Sequence, residues 1–134
     1  MCKIFKNGYG PESESAMVKI LETSIDDLIA VKAAGILTGS DYDDVFPVIG
    51  NAIKKYGKIR FFLDLDEFEG MDVSAILKDT IFAMSHRNDF KKMAAVGDQA
   101  WEDWVARAAD VVTEGEVRHF QYYDKVEAFN WVRE

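Results

Sequence analysis

Cysteine is all but absent. Cys2 stands alone, so no internal disulfide and no cysteine-based zinc site can form. Histidine is scarce as well, with His86 and His119 far apart in the chain. No serine or cysteine nucleophile comes with a paired histidine and acid, so a hydrolase triad has no support. No apolar run approaches the roughly 20 residues of a membrane span, and the N-terminus lacks the apolar core of a signal peptide. Basic residues are outnumbered, 16 against 24 acids, which gives a net charge of −8. With no lysine/arginine stripe to offset that charge, phosphate backbones would be repelled, and nucleic acid is not an expected partner. A cytoplasmic protein is the expectation these absences leave.

What is present is core-forming material. The 134 residues are 49% hydrophobic and 13% aromatic, enough for one domain with a substantial core. Residues 1–16 differ: Asn7-Gly8-Tyr9-Gly10-Pro11 followed by Glu12-Ser13-Glu14-Ser15 reads as tail or linker, with the domain at 17–134. Met17 to Leu21 and Leu28 to Ala34 read as strands joined by a hairpin at Ser24-Ile25-Asp26-Asp27. Gly35 and Gly39 bracket a break. Ser40, with Asp43 as capping-box acid, opens a helix that carries Tyr42, Val45, Phe46, Ile49 and Ile53 on one face and ends at Tyr56-Gly57. Pro47 should kink that helix or lie in its first turns.

Ile59 to Leu65 is nearly all apolar, as in a central strand buried on both faces. A second helix runs from Val73 to His86 with Leu77, Ile81 and Met84 inward. Met93 to Val96 is a fourth strand. A third helix carries Trp101, Trp104, Val105 and Ala108 on one face. Val117 to Tyr122 is a fifth strand. Asp124 and Glu127 cap a last helix with Val126, Phe129 and Val132 inward. The order β-β-α-β-α-β-α-β-α implies an α/β fold: a five-stranded, mostly parallel sheet, an antiparallel first strand at or near an edge, and four helices.

The segment between the third strand and the second helix draws attention. Asp64, Asp66, Glu67 and Glu69 crowd the strand end, and Gly70-Met71-Asp72-Val73-Ser74 leads into the helix. A tight acidic turn is expected there, at a kind of junction where open α/β sheets meet ligands and partners. This element order, and the run Asp64-Leu65-Asp66-Glu67-Phe68-Glu69-Gly70-Met71-Asp72-Val73-Ser74, is similar to the SpoIIAA-like (STAS) fold. Anti-sigma-factor antagonists of that fold carry Asp-Leu, an aromatic, then Met-Asp-Ser-Ser-Gly at a helix start. Ala94-Ala95-Val96-Gly97-Asp98, Trp101, Arg118-His119-Phe120 and Ala128-Phe129-Asn130-Trp131 look like the short stand-alone SpoIIAA-like proteins of bacteria. In the antagonists the serine directly after Met-Asp is phosphorylated. Val73 holds that place here, and Ser74 matches only the neighbouring serine. The resemblance implies a non-catalytic binding or regulatory module, with Asp66, Glu67, Glu69, Gly70, Met71, Asp72, Val73 and Ser74 as the partner-binding or switch region.

Rival chemistries are weighed on the same residues. The acids could ligate a hard cation, but a solvated acidic segment with Asp72 as helix N-cap explains them, and no metal or cofactor is expected. Asp64-Leu65-Asp66, with Lys91, Lys92 and Gly97-Asp98, is similar to haloacid-dehalogenase-type magnesium phosphatases. Two strands precede the supposed nucleophile strand, Phe68 replaces the usual Thr or Val, and too little chain separates Asp66 from Lys91. No enzyme is therefore expected. Sec14-type lipid-transfer domains, a related fold, hold apolar ligands between sheet and helices. Met71, Phe82, Met84, Phe90 and Met93 supply pliable apolar material for such a pocket, although core filling also accounts for them. The tryptophans Trp101, Trp104 and Trp131 could line a pocket, but Trp101 and Trp104 sit at helical spacing with Val105 and Ala108, which favours core packing. The expected partner is a protein or an apolar small molecule, and a homodimer is compatible with either.

Overall fold

Alternation in the strands, rather than their total hydrophobicity, sets the two faces of the sheet. The computed structural model describes residues 17–97 and 115–134. Its strands are β1 (Met17–Ile20), β2 (Leu28–Leu37), β3 (Ile59–Met71), β4 (Phe90–Val96) and β5 (Glu116–Phe120), lying side by side in that order. β1 pairs antiparallel with β2, and every later pairing is parallel. Three α-helices occur among the described residues: α1 (Val45–Tyr56), α2 (Val73–Ser85) and α3 (Lys125–Arg133). The expected helix bearing Trp101 and Trp104 lies outside the described residues, as does the 1–16 tail.

Ile29, Val31, Ile59, Phe61, Leu63 and Met93 point to one face and join the core under α1 and α2. Leu28, Ala30, Phe62, Ala94 and Phe120 point to the other, where α3 covers them with Ala128 and Val132. Successive side chains of a strand must take opposite faces, so a strand apolar at every position needs cover on both.

α3 is held at both ends by charge. Near its C-terminus the carbonyl of Val132 accepts from Arg60 Nη1 at 2.9 Å, and that of Trp131 from Lys92 Nζ at 3.0 Å. Cations suit these carbonyls, which lack partners inside the helix and carry its negative dipole end. At its start Lys125 Nζ donates to Asp64 Oδ2 at 2.8 Å. Arg60 and Asp64 are four positions apart on β3 and so about 13 Å apart. The seven steps from Lys125 to Val132 rise about 10.5 Å, a near match.

Several expectations are corrected. β2 does not end at Ala34. It passes through Gly35, whose φ of 73° would strain most residues, and reaches Leu37. β3 follows it to Met71, so Asp66 to Gly70 form a strand extension rather than a tight turn. Its apolar residues fall at Leu65, Phe68 and Met71, a spacing of three that two register shifts against β2 absorb. That spacing hid the strand from a period-two pattern. The 3₁₀ turn Gly39–Tyr42 precedes α1, and the acid that closes it is Asp41, whose Oδ2 accepts from the Thr38 amide at 2.6 Å. The Ser40–Asp43 box does not form, and Asp43 pairs with Lys78 instead. Pro47 is the third residue of α1, where no amide partner is lost. The Asp124 side chain makes no cap hydrogen bond, because a 3₁₀ turn, Tyr122–Asp124, feeds directly into α3.

The inward faces of α2 and, at Val126, α3 also differ from expectation. Leu77, Ile81 and Met84 are 57%, 64% and 54% exposed, and Val126 is 75% exposed. In α2 the buried residue is Ala75, with Phe82 packed against the core. Phe82 stacks on Phe46 at 4.1 Å, which stacks on Tyr42 at 4.6 Å, so a column of rings decides which way α2 turns.

Candidate functional site

The expected switch region divides into two parts. Asp66, Glu67 and Glu69 run along the exposed extension of β3 and do not converge. Glu67 pairs with Lys32 at 3.5 Å, and the Asp66 amide donates to Asp64 Oδ1 at 3.0 Å. Asp72, by contrast, is the N-cap of α2. Its Oδ1 accepts from the Ala75 amide at 2.9 Å and from the Ser74 hydroxyl at 2.7 Å. These bonds favour the ionised form and hold the Asp72 carboxyl below its ordinary range. Ser74 Oγ in turn accepts from the Gly39 amide at 2.9 Å. The hydroxyl thus ties the 3₁₀ turn to α2. Gly70 has φ 143°, Met71 packs against the core, and Val73 is 74% exposed.

Asp64 is 2% exposed and faces α3, where Lys125 engages it. Hydrogen bonding to Asp64 raises the Lys125 pKa, outweighing the desolvation that lowers it. Lys125→Met leaves Asp64 buried without its cation. Complete burial of such a pair would make the loss about 3–5 kcal/mol. The Lys125 side chain is 39% exposed, so about 2–3 kcal/mol is expected after allowing for solvent. A raised folded-state pKa means that the stabilisation is complete below the ordinary lysine value of about 10.4. It is lost as pH rises through the higher folded value. Urea titrations across the alkaline range should show wild type losing stability there, with Lys125→Met losing less.

On the opposite face, between the sheet and helices α1 and α2, lies a cavity of about 350 Å³. Val31, Ala33, Leu37, Phe61, Leu63 and Leu65 form its floor. Phe46 and Ile49 of α1, and Phe82, Ala83 and Met84 of α2, form its walls, with Phe90 and Met93 of β4. Charge or hydroxyl reaches it at few points: Asp79, Thr80 and Arg87 on or just after α2, and Tyr42. Of the five pliable residues read from the sequence, Phe82, Met84, Phe90 and Met93 line the cavity. Met71 packs on the same core cluster without lining it.

Trp131 lies on the other face, beneath the cations of Lys92 and Arg118 at 4.8 and 5.1 Å. Trp101 and Trp104 lie outside the described residues. His86 Nδ1 meets Asp89 Oδ2 at 2.9 Å, and His119 Nε2 donates to the Gly97 carbonyl at 2.6 Å. The floor residues were missed because each reads as ordinary strand core. The available signal was the small Ala33 and Ala83, which leave space where larger side chains would meet.

A mixed five-stranded sheet with helices on both faces and an apolar cavity under one of them defines the class as α/β. The model of the SpoIIAA-like family matches residues 28–133, and the chain belongs to that family. It is similar to the crystal structure of an uncharacterized protein of the DUF3478 family with a SpoIIAA-like fold, from Shewanella loihica PV-4. Identity is 31%, covering 92% of this chain and 99% of that one, with a TM-score of 0.72. No curated protein matches this chain.

Proposed function

We propose that this protein is a non-catalytic binding domain that holds an apolar small molecule in the cavity between the sheet and helices α1 and α2. The cavity itself carries the reading. At about 350 Å³ it is within the range of small-molecule sites, and its lining is mainly aliphatic and aromatic with a few polar groups. An apolar ligand would replace unfilled space with dispersion contacts at no desolvation cost to the walls. Phe82 and Met84 allow the lining to adapt.

A second reading keeps the 66–77 junction as a protein-docking edge. Val73 and Leu77 are exposed there beside Asp66, Glu67 and Glu69. A partner with a basic or mixed face would suit those acids, and its binding would weaken with salt.

The test of the first reading is titration with Nile red, a neutral dye that brightens in apolar surroundings, together with thermal melts. Saturable binding of one dye per chain is expected. Ligand at 100 times its Kd should add about 2.7 kcal/mol of stability. No saturation and no shift in melting temperature would remove the cavity from consideration.

A further inference from the structure

Granted an apolar ligand in this cavity, as proposed above, we infer that it is a single-chain aliphatic carboxylate whose head group lies at Arg87. The charged lining of the cavity comes from α2 and the turn after it, Asp79 and Arg87, with the hydroxyl of Thr80 beside Asp79. Arg87 is exposed and has no ion-pair partner among the described residues. Two nearby groups are engaged elsewhere: Asp89 Oδ2 meets His86 Nδ1 at 2.9 Å, and Lys78 pairs with Asp43. A guanidinium with no ion-pair partner among the described residues, at the rim of an apolar cavity, offers two parallel N–H donors to a planar carboxylate.

Asp79 would repel such a head, but it lies near the middle of α2, six residues and so about 9 Å of helical rise before the helix ends at Ser85, whereas Arg87 follows that end. Thr80 lies beside Asp79 and carries no charge. The carboxylate therefore has one favourable place, with its chain directed inward over Leu63 and Phe82. The net charge of −8 and the carbonyl end of α2 both disfavour an anion at this position. Any preference for a carboxylate must then come from Arg87 itself, which makes the residue a sharp test.

The experiment is displacement of Nile red from the full chain by decanoate and by decan-1-ol, below micelle-forming concentrations and well above the carboxyl pKa. It is repeated with Arg87→Gln. The decisive quantity is the ratio of decanoate to decanol affinity, which cancels the common chain. Arg87→Gln should lower that ratio about threefold to tenfold, the range for a partly solvated charge-assisted contact. Decanol binding should fall less than decanoate binding, and an unchanged urea midpoint should show that the fold is intact. If both compounds displace the dye and the ratio does not move, the head group is not at Arg87 although the cavity still binds apolar chains. If neither displaces it, this inference and the ligand-binding reading fail together.

Discussion

Gly97→Ala is expected to cost about 2–4 kcal/mol, more than most single substitutions. Gly97 follows β4 and lies between its neighbours. Its amide donates to the Phe120 carbonyl at 3.1 Å, and its own carbonyl accepts from His119. A Cβ placed there would be 3.0 Å from both the carbonyl carbon and the carbonyl oxygen of Leu65. These are backbone atoms of the central strand and cannot swing aside as a side chain would. The backbone at Gly97, with φ 157°, is fixed from the other side by β5. Gly50 supplies the control. It lies within α1, and an added Cβ there would meet nothing within 4 Å. Gly50→Ala should therefore stabilise, by up to about 1 kcal/mol. Urea denaturation of both variants measures the contrast. A Gly97→Ala loss under about 1 kcal/mol would mean that β3 and β4 separate more readily than the register indicates.

Ala83→Trp should abolish binding of apolar ligands while leaving the chain folded. Ala83 is half-buried on α2 and lines the cavity, so an indole there occupies space the ligand would use. Filling existing space avoids the strain that accompanies overpacking a dense core. The remaining cost is the weaker helix preference of tryptophan, about 0.5 kcal/mol. A loss of dye affinity of at least a hundredfold, with a nearly unchanged urea midpoint, is the expected pair of results. Undiminished binding would place the dye elsewhere, most directly on the exposed Leu77 and Ile81.

Local patterns fixed by one interaction were legible, and those set by competition between faces were not. α1 could be read because Val45, Phe46, Ile49 and Ile53 share one face, with Asn51, Lys54 and Lys55 off it. α2 offered no such contrast. Val73, Ile76, Leu77, Ile81 and Met84 make its outer surface as apolar as its inner one, so spacing alone could not orient it. Its orientation comes from the ring column of Tyr42, Phe46 and Phe82, a tertiary contact. The edge position of β1 followed from its hairpin, whereas the extension of β3 to Met71 depended on β2 continuing through Gly35. At the candidate site, Asp72 was recognised as an N-cap, and Ser74 was marked, but its bond to Gly39 spans 35 residues. The cavity is a gap between elements. No single residue encodes it, although four of its lining side chains were identified as suitable material.

Intermolecular NOEs between a bound aliphatic ligand and assigned methyl groups test the central claim most directly. Contacts are expected to Val31, Leu37, Leu63 and Met93, with none to Leu28, Val96 or Val132 on the α3 face. Contacts confined to Leu77 and Ile81, or to the α3 face, would contradict a ligand held between the sheet and helices α1 and α2.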